Sequence, residues 1–338
     1  MSPTSSSSVL VLGARGRFGL AAVRAFALAG WQVHAQVRPR ASGPAIPGVQ
    51  WHAVAPEDTA ALAAAAQGAS VVVHALSPAY THKAWRTGVA PLGEAAIAVT
   101  RELGATLMLP ANVYNFGASM PRVLTEDTPQ APTTFKGGLR VALEQRIREA
   151  TQDGRMKAVL IRAGDFFGSG SGSWLDLMIA KDLRAGKITY PGALDVPTAW
   201  AYLPDLARTF ALVAERRTQL PVFETLHFGG HTVTGADWAE ALRDVAWEQG
   251  WLGARGELRV SSLSWPLMRV LGPFVPTVAA VCEMRYLWRT PHELANARLK
   301  ALIGEEPHTH FADAVRLALG EVGMLSREES WPAEPVPA

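Results

Sequence analysis

The sequence predicts an α/β fold in which a doubly wound parallel sheet is joined to a smaller, mostly helical region. The first half of the chain alternates short apolar segments, typical of buried strands, with longer segments of helical periodicity. Such alternation joins parallel strands through right-handed crossovers and places helices on both faces of the sheet. A glycine-rich turn, "GARGRFG" at 13–19, connects the first strand to the first helix. The 338 residues suffice for one large domain and a smaller one.

The elements of the first half follow in order from their patterns. β-branched runs or apolar–polar alternation predict five strands, at 8–13, 31–38, 70–76, 105–112 and 157–164. Helical segments lie between them, at 18–29, 85–103 and 137–152.

The second half is less regular. We predict a helix at 174–184, a strand that passes into a helix within "WAYLPDLARTFALVAE", and a strand at 224–230. The segment from Thr290 to Glu293 has the signals of a helix start, namely a Thr cap, a Pro in the first turn and a Glu that reaches back to the cap. This helix should run to about Leu302. We expect Asp205 to cap the helix that follows "AYLP".

Composition excludes several classes of protein. The 32 basic and 30 acidic residues are dispersed and give a net charge of +2, so no nucleic-acid surface is expected. The single cysteine, Cys282, fits a reducing, cytoplasmic setting. The apolar stretch 265–282 contains Arg269 and three prolines and is too interrupted to span a bilayer. We therefore expect a buried helical pair or a substrate-side wall there, and no membrane partner. His308 and His310 lack companion ligands, so no metal site is expected.

The turn at 13–19 has the spacing of a loop that holds a dinucleotide. The first glycine permits a tight turn, the second lets the backbone approach a pyrophosphate, and the third lets the helix pack close to the strand. The N-terminus of the following helix favours the anion. The alternative is a tight turn without a ligand, but the flanking strand and helix supply the context that the spacing needs. Predicted cofactor contacts are Gly13, Arg15, Gly16, Arg17, Phe18, Gly19 and, after the strand at 70–76, Leu76.

The end of the second strand predicts NADP(H) rather than NAD. Arg38 and Arg40 follow that strand, and no acidic residue occurs between Gly30 and Ala55. A carboxylate at this place would bind the ribose hydroxyls of NAD, whereas guanidinium groups bind a 2′-phosphate. Arg15 on the glycine loop would face the same corner. Alternatively, each arginine is a solvated surface charge.

The chain resembles the short-chain dehydrogenase/reductase superfamily, in particular its extended, epimerase/dehydratase-like branch. The matching segments run in order through most of the chain: "GARGRFG" at 13–19, "GASVVVHAL" at 68–76, "PANVYNFG" at 110–117, "IRAGDFFG" at 161–168, "WAYLPDLA" at 200–207 and the closing helices at 299–319. The resemblance implies a Rossmann dinucleotide-binding domain at 8–170, completed by segments at about 196–230. It implies a substrate-binding subdomain at 171–195 and 231–325.

The resemblance also implies a homodimer, because members of this branch commonly pair through the helices after strands four and five. Those helices are predicted here at 85–103 and 137–152. The remaining segments, 1–7 and 326–338, are rich in Ser or Pro and are expected to be disordered tails.

The usual catalytic residues of that branch are replaced in this sequence. In the family a Ser or Thr follows strand five, and a Tyr-x-x-x-Lys on the next helix supplies the general acid/base and the group that lowers its pKa. These positions carry Asn112, Lys136 and Arg140. Arginine can hold a ribose or phosphate but cannot act as an acid near neutral pH. Lys136 could donate a proton if burial lowered its pKa, and Asn112 could polarise a carbonyl. Alternatively, Lys136 and Arg140 only pair with cofactor phosphates or nearby acids.

Three tyrosines and one aspartate are further candidates. Tyr114 lies two residues after Asn112, and Tyr80 follows the strand at 70–76, at the sheet edge where such folds bind ligands. Tyr202 is the third. Each tyrosine could instead serve only in packing. Asp165, in "IRAGDFFG", would face the nicotinamide or cap a loop.

These observations predict an NADP(H)-dependent oxidoreductase that acts on a small, fairly apolar carbonyl or enone compound. Aromatic residues of the C-terminal region favour an apolar substrate wall, although such residues equally fill cores; they are Trp251, Trp265, Phe274, Tyr286 and Trp288. The alternative is a catalytically inactive NADP(H)-binding protein that reports redox state to a partner. A nucleotide-sugar epimerase or dehydratase would need the missing acid/base.

Overall fold

The computed structural model describes residues 7–253 and 256–326. The predicted disordered tails therefore lie outside the described residues, apart from Ser7 and Ser326. No helix in the described ranges is long and apolar enough to cross a membrane.

Strands and helices alternate through the first half of the chain, as predicted. In chain order the strands are β1 (Ser8–Leu12), β2 (Gln32–Val37), β3 (Val49–Ala53), β4 (Val71–His74), β5 (Thr106–Ala111), β6 (Val123–Leu124), β7 (Lys157–Arg162), β8 (Asp165–Phe167), β9 (Lys187–Tyr190), β10 (Thr198–Tyr202), β11 (Phe223–His227), β12 (His231–Val233), β13 (Arg259–Ser262) and β14 (Glu293–Leu294). The α-helices are α1 (Arg17–Leu28), α2 (Thr59–Ala65), α3 (His82–Leu103), α4 (Phe135–Ala150), α5 (Leu203–Glu215), α6 (Gly235–Glu248), α7 (Trp265–Leu271), α8 (Pro276–Cys282), α9 (Ala297–Ile303) and α10 (Phe311–Glu321).

A seven-stranded parallel sheet forms the centre of the molecule, in the order β11-β7-β5-β4-β1-β2-β3. Alternate residues of each strand face opposite sides, so Val9 and Val11 belong to one core and Leu10 and Leu12 to the other. Helices α1 and α5 cover the first side, while α2, α3 and α4 cover the second. The predicted doubly wound α/β fold is confirmed.

The chain after β7 builds smaller sheets around a third core. Strand β10 pairs in parallel with β8 and antiparallel with β12, and β13 pairs with β9. Tryptophans fill this core together with Phe167 and Tyr190; Trp200, Trp238 and Trp288 are almost completely buried. Helices α6 and α10 pack on it.

One helix predicted in the second half is wrong, and another begins later than predicted. Between 174 and 184, only Leu175–Ile179 forms a wide π-helical turn, which ends where the amide of Ala180 donates to the carbonyl of Leu175. A 3₁₀ turn follows at Leu183–Ala185. The helix predicted from Thr290 begins only at Ala297. Tertiary contacts override its start signals, because the amide of Glu293 donates to the carbonyl of Arg122 and β14 pairs with β6.

Two further expectations need correction. Asp205 does not cap α5; it is buried in the first turn and accepts hydrogen bonds from the amide and hydroxyl of Thr309, at 2.6 and 2.9 Å. The stretch 265–282 does form a helical pair, α7 and α8, but much of its apolar surface is exposed rather than buried.

Candidate functional site

The glycine loop is packed too closely for any other residue at its first and third glycines. Gly13 has φ +74°, and a Cβ there would lie 2.9 Å from the carbonyl oxygen of Ala75 and 3.0 Å from the amide of Leu76. A Cβ on Gly19 would lie 2.2 Å from the carbonyl oxygen of Gly13. Gly16 is less constrained, at 3.2 Å from the same oxygen. The loop therefore rests directly on the end of β4 and on the first turn of α1.

A buried glutamine fixes this loop to the neighbouring strand. The Gln36 side-chain oxygen accepts from the amide of Gly13 at 2.8 Å, and its side-chain nitrogen donates to the carbonyl of Val54 at 2.7 Å. The amide of Ala14 donates to the backbone carbonyl of Gln36 at 3.0 Å. Sequence reasoning missed Gln36, although a polar residue inside the otherwise apolar end of β2 is a signal that could have found it.

The N-terminus of α1 is built to accept an anion. Gly16 occupies its N-cap without a side-chain hydrogen bond, and its first turn has no acidic residue. Amides at such an end have no intrahelical partner and favour negative charge. Phe18 is buried against the ring of Phe210, 4.8 Å between centroids, so only its backbone faces the loop. A cofactor phosphate fits this end of the helix.

Arg17 connects the glycine loop to the segment after β7. Its Nη1 donates to the carbonyls of Phe166 and Gly168, at 3.3 and 3.5 Å. Burial lowers the pKa of Arg17, while the charges of Asp176 and Asp165 act in the opposite direction. The Arg17 guanidinium is therefore held by these contacts and lies between the glycine loop and Asp165.

Three other arginines lie exposed around the junction of the loop and β2. Arg15 follows Ala14 on the loop, and Arg38 comes two residues after Gln36. Arg40 adopts a left-handed backbone conformation, with φ +66°. Among the described residues, the side chains of Arg15, Arg38 and Arg40 have no hydrogen bond or ion pair. These guanidinium groups are available to an anionic ligand.

Lys136 is completely buried and fully engaged. Its Nζ donates to the carbonyl of Ala280 at 2.7 Å and to a carboxylate oxygen of Glu283 at 2.8 Å. Its amide donates to the other oxygen of Glu283 at 3.1 Å, and His82 lies 2.8 Å from that carboxylate. Burial lowers the pKa of Lys136, against the hydrogen bond and charge of Glu283. The arrangement matches the alternative in which Lys136 pairs with a nearby acid, and no sequence signal pointed to Glu283.

Arg140 lies in a buried pocket of aromatic and polar side chains. Its guanidinium stacks over the ring of Trp85 at 4.9 Å. Burial lowers the pKa of His74 to about 3, and the positive charge of Arg140 adds to this, so the imidazole is neutral. Arg140 Nε, His74 Nδ1 and Trp85 Nε1 are buried and lack a hydrogen-bond partner in the described part of the chain.

Residues that follow three strands of the parallel sheet meet at its carboxyl edge. Tyr80 follows β4, Tyr114 follows β5 and Asp165 follows β7. Each phenol affects the pKa of the other, and both feel the charge of Asp165. Arg140 and Tyr286 lie close enough to Tyr114 to affect, or be affected by, its charge. We call these five side chains the edge cluster: Tyr80, Tyr114, Arg140, Asp165 and Tyr286.

Burial controls the protonation of the edge cluster. It raises the pKa of both Tyr80 and Tyr114 above the ordinary range of a phenol. The interaction between the two side chains lowers the pKa of Tyr80 and raises that of Tyr114, so Tyr114 favours the ionised form of Tyr80. Burial also raises the pKa of Asp165 to about 7, against the attraction of Arg17. Lys136 Nζ lies 4.8 Å from the ring centre of Tyr80 and adds a positive charge there.

Asn112 supports the edge cluster through the backbone. Its side-chain oxygen accepts from the amide of Tyr114 at 3.1 Å and caps the short 3₁₀ turn Val113–Phe116. Its carbonyl accepts from Arg162, which pairs with Glu144 of α4 at 2.8 Å. Asn112 thus fixes the position of Tyr114.

The remaining candidates divide between core and surface. Tyr202 is buried against Phe167, 5.3 Å between ring centres, and does not belong to the edge cluster. Trp265 and Trp288 are buried in the third core, and Phe274 is exposed, so the predicted aromatic wall is reduced at this site to Tyr286. The ring centre of His308 lies 4.6 Å from that of His231, with the two rings tilted against each other. The described residues hold no group of three or more metal-ligating side chains.

A doubly wound parallel sheet, a glycine loop at the first strand–helix junction and polar residues at the carboxyl edge define an extended short-chain dehydrogenase/reductase. The resemblance seen in the sequence is thereby confirmed. Residues 7–256 match the family model described as the RmlD substrate binding domain, and the chain belongs to this family. A comparison with curated proteins finds no match.

Solved structures with the same fold cover nearly the whole chain. UDP-N-acetylglucosamine 4-epimerase from Bacillus cereus is 14% identical, with a TM-score of 0.69, over 98% of this chain and 99% of that one. UDP-glucose 4-epimerase from Thermotoga maritima, solved with UDP-glucose, is 14% identical, with a TM-score of 0.68, over 93% and 98%. An NAD-dependent NDP-hexosamine 5,6-dehydratase of tunicamycin biosynthesis is 14% identical, with a TM-score of 0.67, over 96% and 100%. At these identities the similarity shows the fold.

Proposed function

We propose that the chain is a cytoplasmic NADP(H)-dependent oxidoreductase that reduces or oxidises a small, fairly apolar carbonyl or enone compound. The observation that carries this proposal is the edge cluster, which brings two interacting phenols and a cation to the edge of the sheet where the glycine loop lies. Arg17 connects the glycine loop to the edge cluster, because it is the first residue of α1 and interacts with Asp165.

The residues around the glycine loop fit a nicotinamide dinucleotide. The uncapped start of α1 suits the pyrophosphate, and a Cβ at Gly13 or Gly19 would destroy the loop that presents it. The name of the similar dehydratase describes it as NAD-dependent, which supports the cofactor class. The exposed Arg15, Arg38 and Arg40, without a carboxylate nearby in sequence, support NADP(H) over NAD(H).

The cofactor assignment is tested by binding. We expect NADPH to bind at least about tenfold more tightly than NADH, since charge-assisted bonds to the 2′-phosphate are made only by NADPH. Arg38→Ala should weaken NADPH by about tenfold and leave NADH unchanged. Arg24→Ala, on the same helix as Arg17 but exposed and outside the loop, is the control. Equal affinity for the two cofactors would refute the assignment.

The edge cluster supplies the proton chemistry of the proposed reaction. The nicotinamide, when bound, gives or takes the hydride. In the reductive direction the Tyr80 hydroxyl donates its proton to the substrate oxygen. Tyr114, which lowers the pKa of Tyr80, and the positive charge of Arg140 favour the resulting Tyr80 phenolate. Lys136 acts on Tyr80 through its position and charge and does not give up a proton, because its ammonium group donates to Ala280 and Glu283.

Substitution of the phenols tests this assignment. Tyr80→Phe should lower the rate of NADPH oxidation with a responsive carbonyl or enone by about 10²–10⁴-fold, the usual contribution of a positioned acid. Tyr114→Phe should lower it less, since it removes only the supporting interaction. NADPH affinity should be unchanged in both. Tyr202→Phe, a buried tyrosine outside the edge cluster, is the matched control.

The complete engagement of Lys136 favours one second candidate, an NADP(H)-binding protein without turnover. It predicts tight NADPH binding, no oxidation of NADPH with any carbonyl or enone, and no effect of Tyr80→Phe. A screen of such compounds with the wild-type chain and this variant decides between the two.

Pairing of two chains through α3 and α4 completes the proposal, and the mass of the particle in solution tests it.

A further inference from the structure

Helices α7 and α8 form a hairpin whose tip is apolar and exposed. Five of the thirteen exposed large hydrophobic residues in the described ranges lie between 267 and 275, with Phe274 80% and Val270 65% exposed. The other three are Leu267, Leu271 and Val275. Single exposed apolar residues are normal, but a concentration of this kind marks an interaction surface. We call these five residues the hairpin patch.

Hydrogen bonds hold the base of the hairpin in place, so the hairpin patch is exposed in the folded chain. At the start of α7, the Trp265 indole donates to the carbonyl of Pro191 at 2.7 Å. At the end of α8, the carbonyl of Ala280 and the carboxylate of Glu283 accept from Lys136. His82 of α3 holds the same carboxylate.

The charges around the hairpin patch are positive. No acidic residue occurs in the sequence between Glu257 and Glu283. Arg269 lies within the hairpin, is exposed and forms no ion pair with any described residue. Helix α3, which packs on α8 and whose His82 contacts Glu283 at the base of the hairpin, also carries the exposed Lys83 and Arg86. Apolar side chains with an unpaired cation among them and no carboxylate complement an anionic surface.

We propose that the hairpin patch docks the protein on the surface of an anionic lipid bilayer. Each helix of the hairpin has seven residues and is therefore about 10 Å long, at about 1.5 Å per residue. Apolar surfaces of interfacial segments enter the boundary of headgroups and acyl chains by roughly 5–10 Å. Phe274 and Val270 would enter this boundary, and Arg269 would contact lipid phosphates. The sequence-based expectation of no membrane partner rested on the poor fit of this stretch to a bilayer span, and the present proposal departs from it.

The charges disfavour a second copy of the chain as the occupant. A symmetric dimer places the same surface on both sides, so the Arg269 side chains of the two copies would meet a surface without a compensating charge. No carboxylate of the hairpin is available to pair with them. A phosphate-bearing lipid surface has no such conflict. The proposal depends on the hairpin alone and holds or fails independently of the proposed reaction.

Vesicle sedimentation of the full chain tests the docking surface. We expect binding to vesicles of phosphatidylcholine mixed with phosphatidylglycerol, and weaker binding to phosphatidylcholine alone. Phe274→Asp should lower the partition coefficient by about tenfold or more, because affinity scales with the apolar area that enters the boundary. Arg269→Gln should lower binding several-fold on anionic vesicles only, and high salt should have the same effect.

Leu28→Asp is the matched control, since Leu28 is 89% exposed at the end of α1, outside the hairpin. It should bind vesicles like the wild type. Far-UV circular dichroism and thermal unfolding of each variant report that the chain is folded and test nothing about the hairpin. Two outcomes would overturn the proposal: failure of the wild type to bind anionic vesicles, or equal binding by Phe274→Asp. Sedimentation equilibrium that shows a dimer lost in Phe274→Asp would assign the hairpin patch to a second copy instead.

Discussion

At the scale of single residues, the glycine loop depends on the absence of a side chain at Gly19. A methyl group there would lie 2.2 Å from the carbonyl oxygen of Gly13, and neither backbone can yield without moving β1 or α1. We predict that Gly19→Ala costs about 1–3 kcal/mol of stability, as overpacking does, and weakens NADPH by at least about tenfold. Urea unfolding and fluorescence titration measure the two effects.

Gly138 provides the matched control for that substitution. It also lies in a helix, α4, but a Cβ there would meet nothing within 4 Å. Gly138→Ala should therefore stabilise the protein, by up to about 0.5–1 kcal/mol, through lower entropy of the unfolded chain. Similar effects of the two alanines would show that Gly19 is not under steric constraint.

The second residue-scale prediction concerns Asp165, whose pKa burial raises to about 7. The folded state then binds a proton more tightly than the unfolded state, where the pKa is 3.8. The stability that this proton provides is complete below pH 3.8 and is lost as pH rises to about 7. The neutral variant Asp165→Asn does not suffer this loss.

We therefore expect the advantage of Asp165→Asn over the wild type to grow between pH 4 and pH 7 and to level off above. One unit of pKa corresponds to about 1.4 kcal/mol, so the difference is at most about 4 kcal/mol. Urea unfolding of both proteins across this pH range measures it. A constant difference would mean that Asp165 is ionised throughout in the folded chain.

At the scale of elements, the Lys136–Glu283 ion pair holds α8 against α4. Breaking a buried pair on one side leaves the other charge without compensation, which costs about 3–5 kcal/mol. We predict a loss near the lower end of that range for Lys136→Met, because the Glu283 side chain is partly exposed and keeps His82 as a partner. Lys136→Met/Glu283→Met should be less destabilised than the sum of the single variants. Additive losses would contradict a direct coupling.

Elements with a continuous pattern could be predicted from the sequence, and elements shaped by distant partners could not. The strands β1, β2, β4, β5 and β7 lie where their apolar runs indicated, because each is covered on both faces. The cap signals at Thr290 failed because the backbone there pairs with β6, some 170 residues earlier. The wide turn at Leu175–Ile179 likewise depends on the third core.

The candidate site shows the same division. The glycine loop and the positions of Tyr80, Tyr114 and Asp165 follow from strand ends, which a parallel sheet collects at one edge. The partner of Lys136 could not be predicted, because Glu283 lies 147 residues away in a segment without a family motif. The role of Gln36 in holding the glycine loop could have been predicted only if its burial were known.

At the scale of the whole molecule, the net charge is only +2. Such a charge attracts anionic cofactors only weakly as a whole, so any preference for NADPH must arise locally, from guanidinium groups such as Arg15, Arg38 and Arg40. These side chains are exposed, and salt screens exposed charges over about 10 Å at 0.1 M ionic strength.

We predict that NADPH at about one hundred times its Kd raises the free energy of unfolding by about 2.7 kcal/mol, as mass action requires. At the same concentration NADH should give a smaller increase. Raising the salt concentration should reduce the effect of NADPH more than that of NADH, because only NADPH places a 2′-phosphate among the three arginines. Urea unfolding with each cofactor at low and high salt measures this. Equal salt dependence would place the 2′-phosphate away from these arginines and remove the physical basis for the NADPH preference.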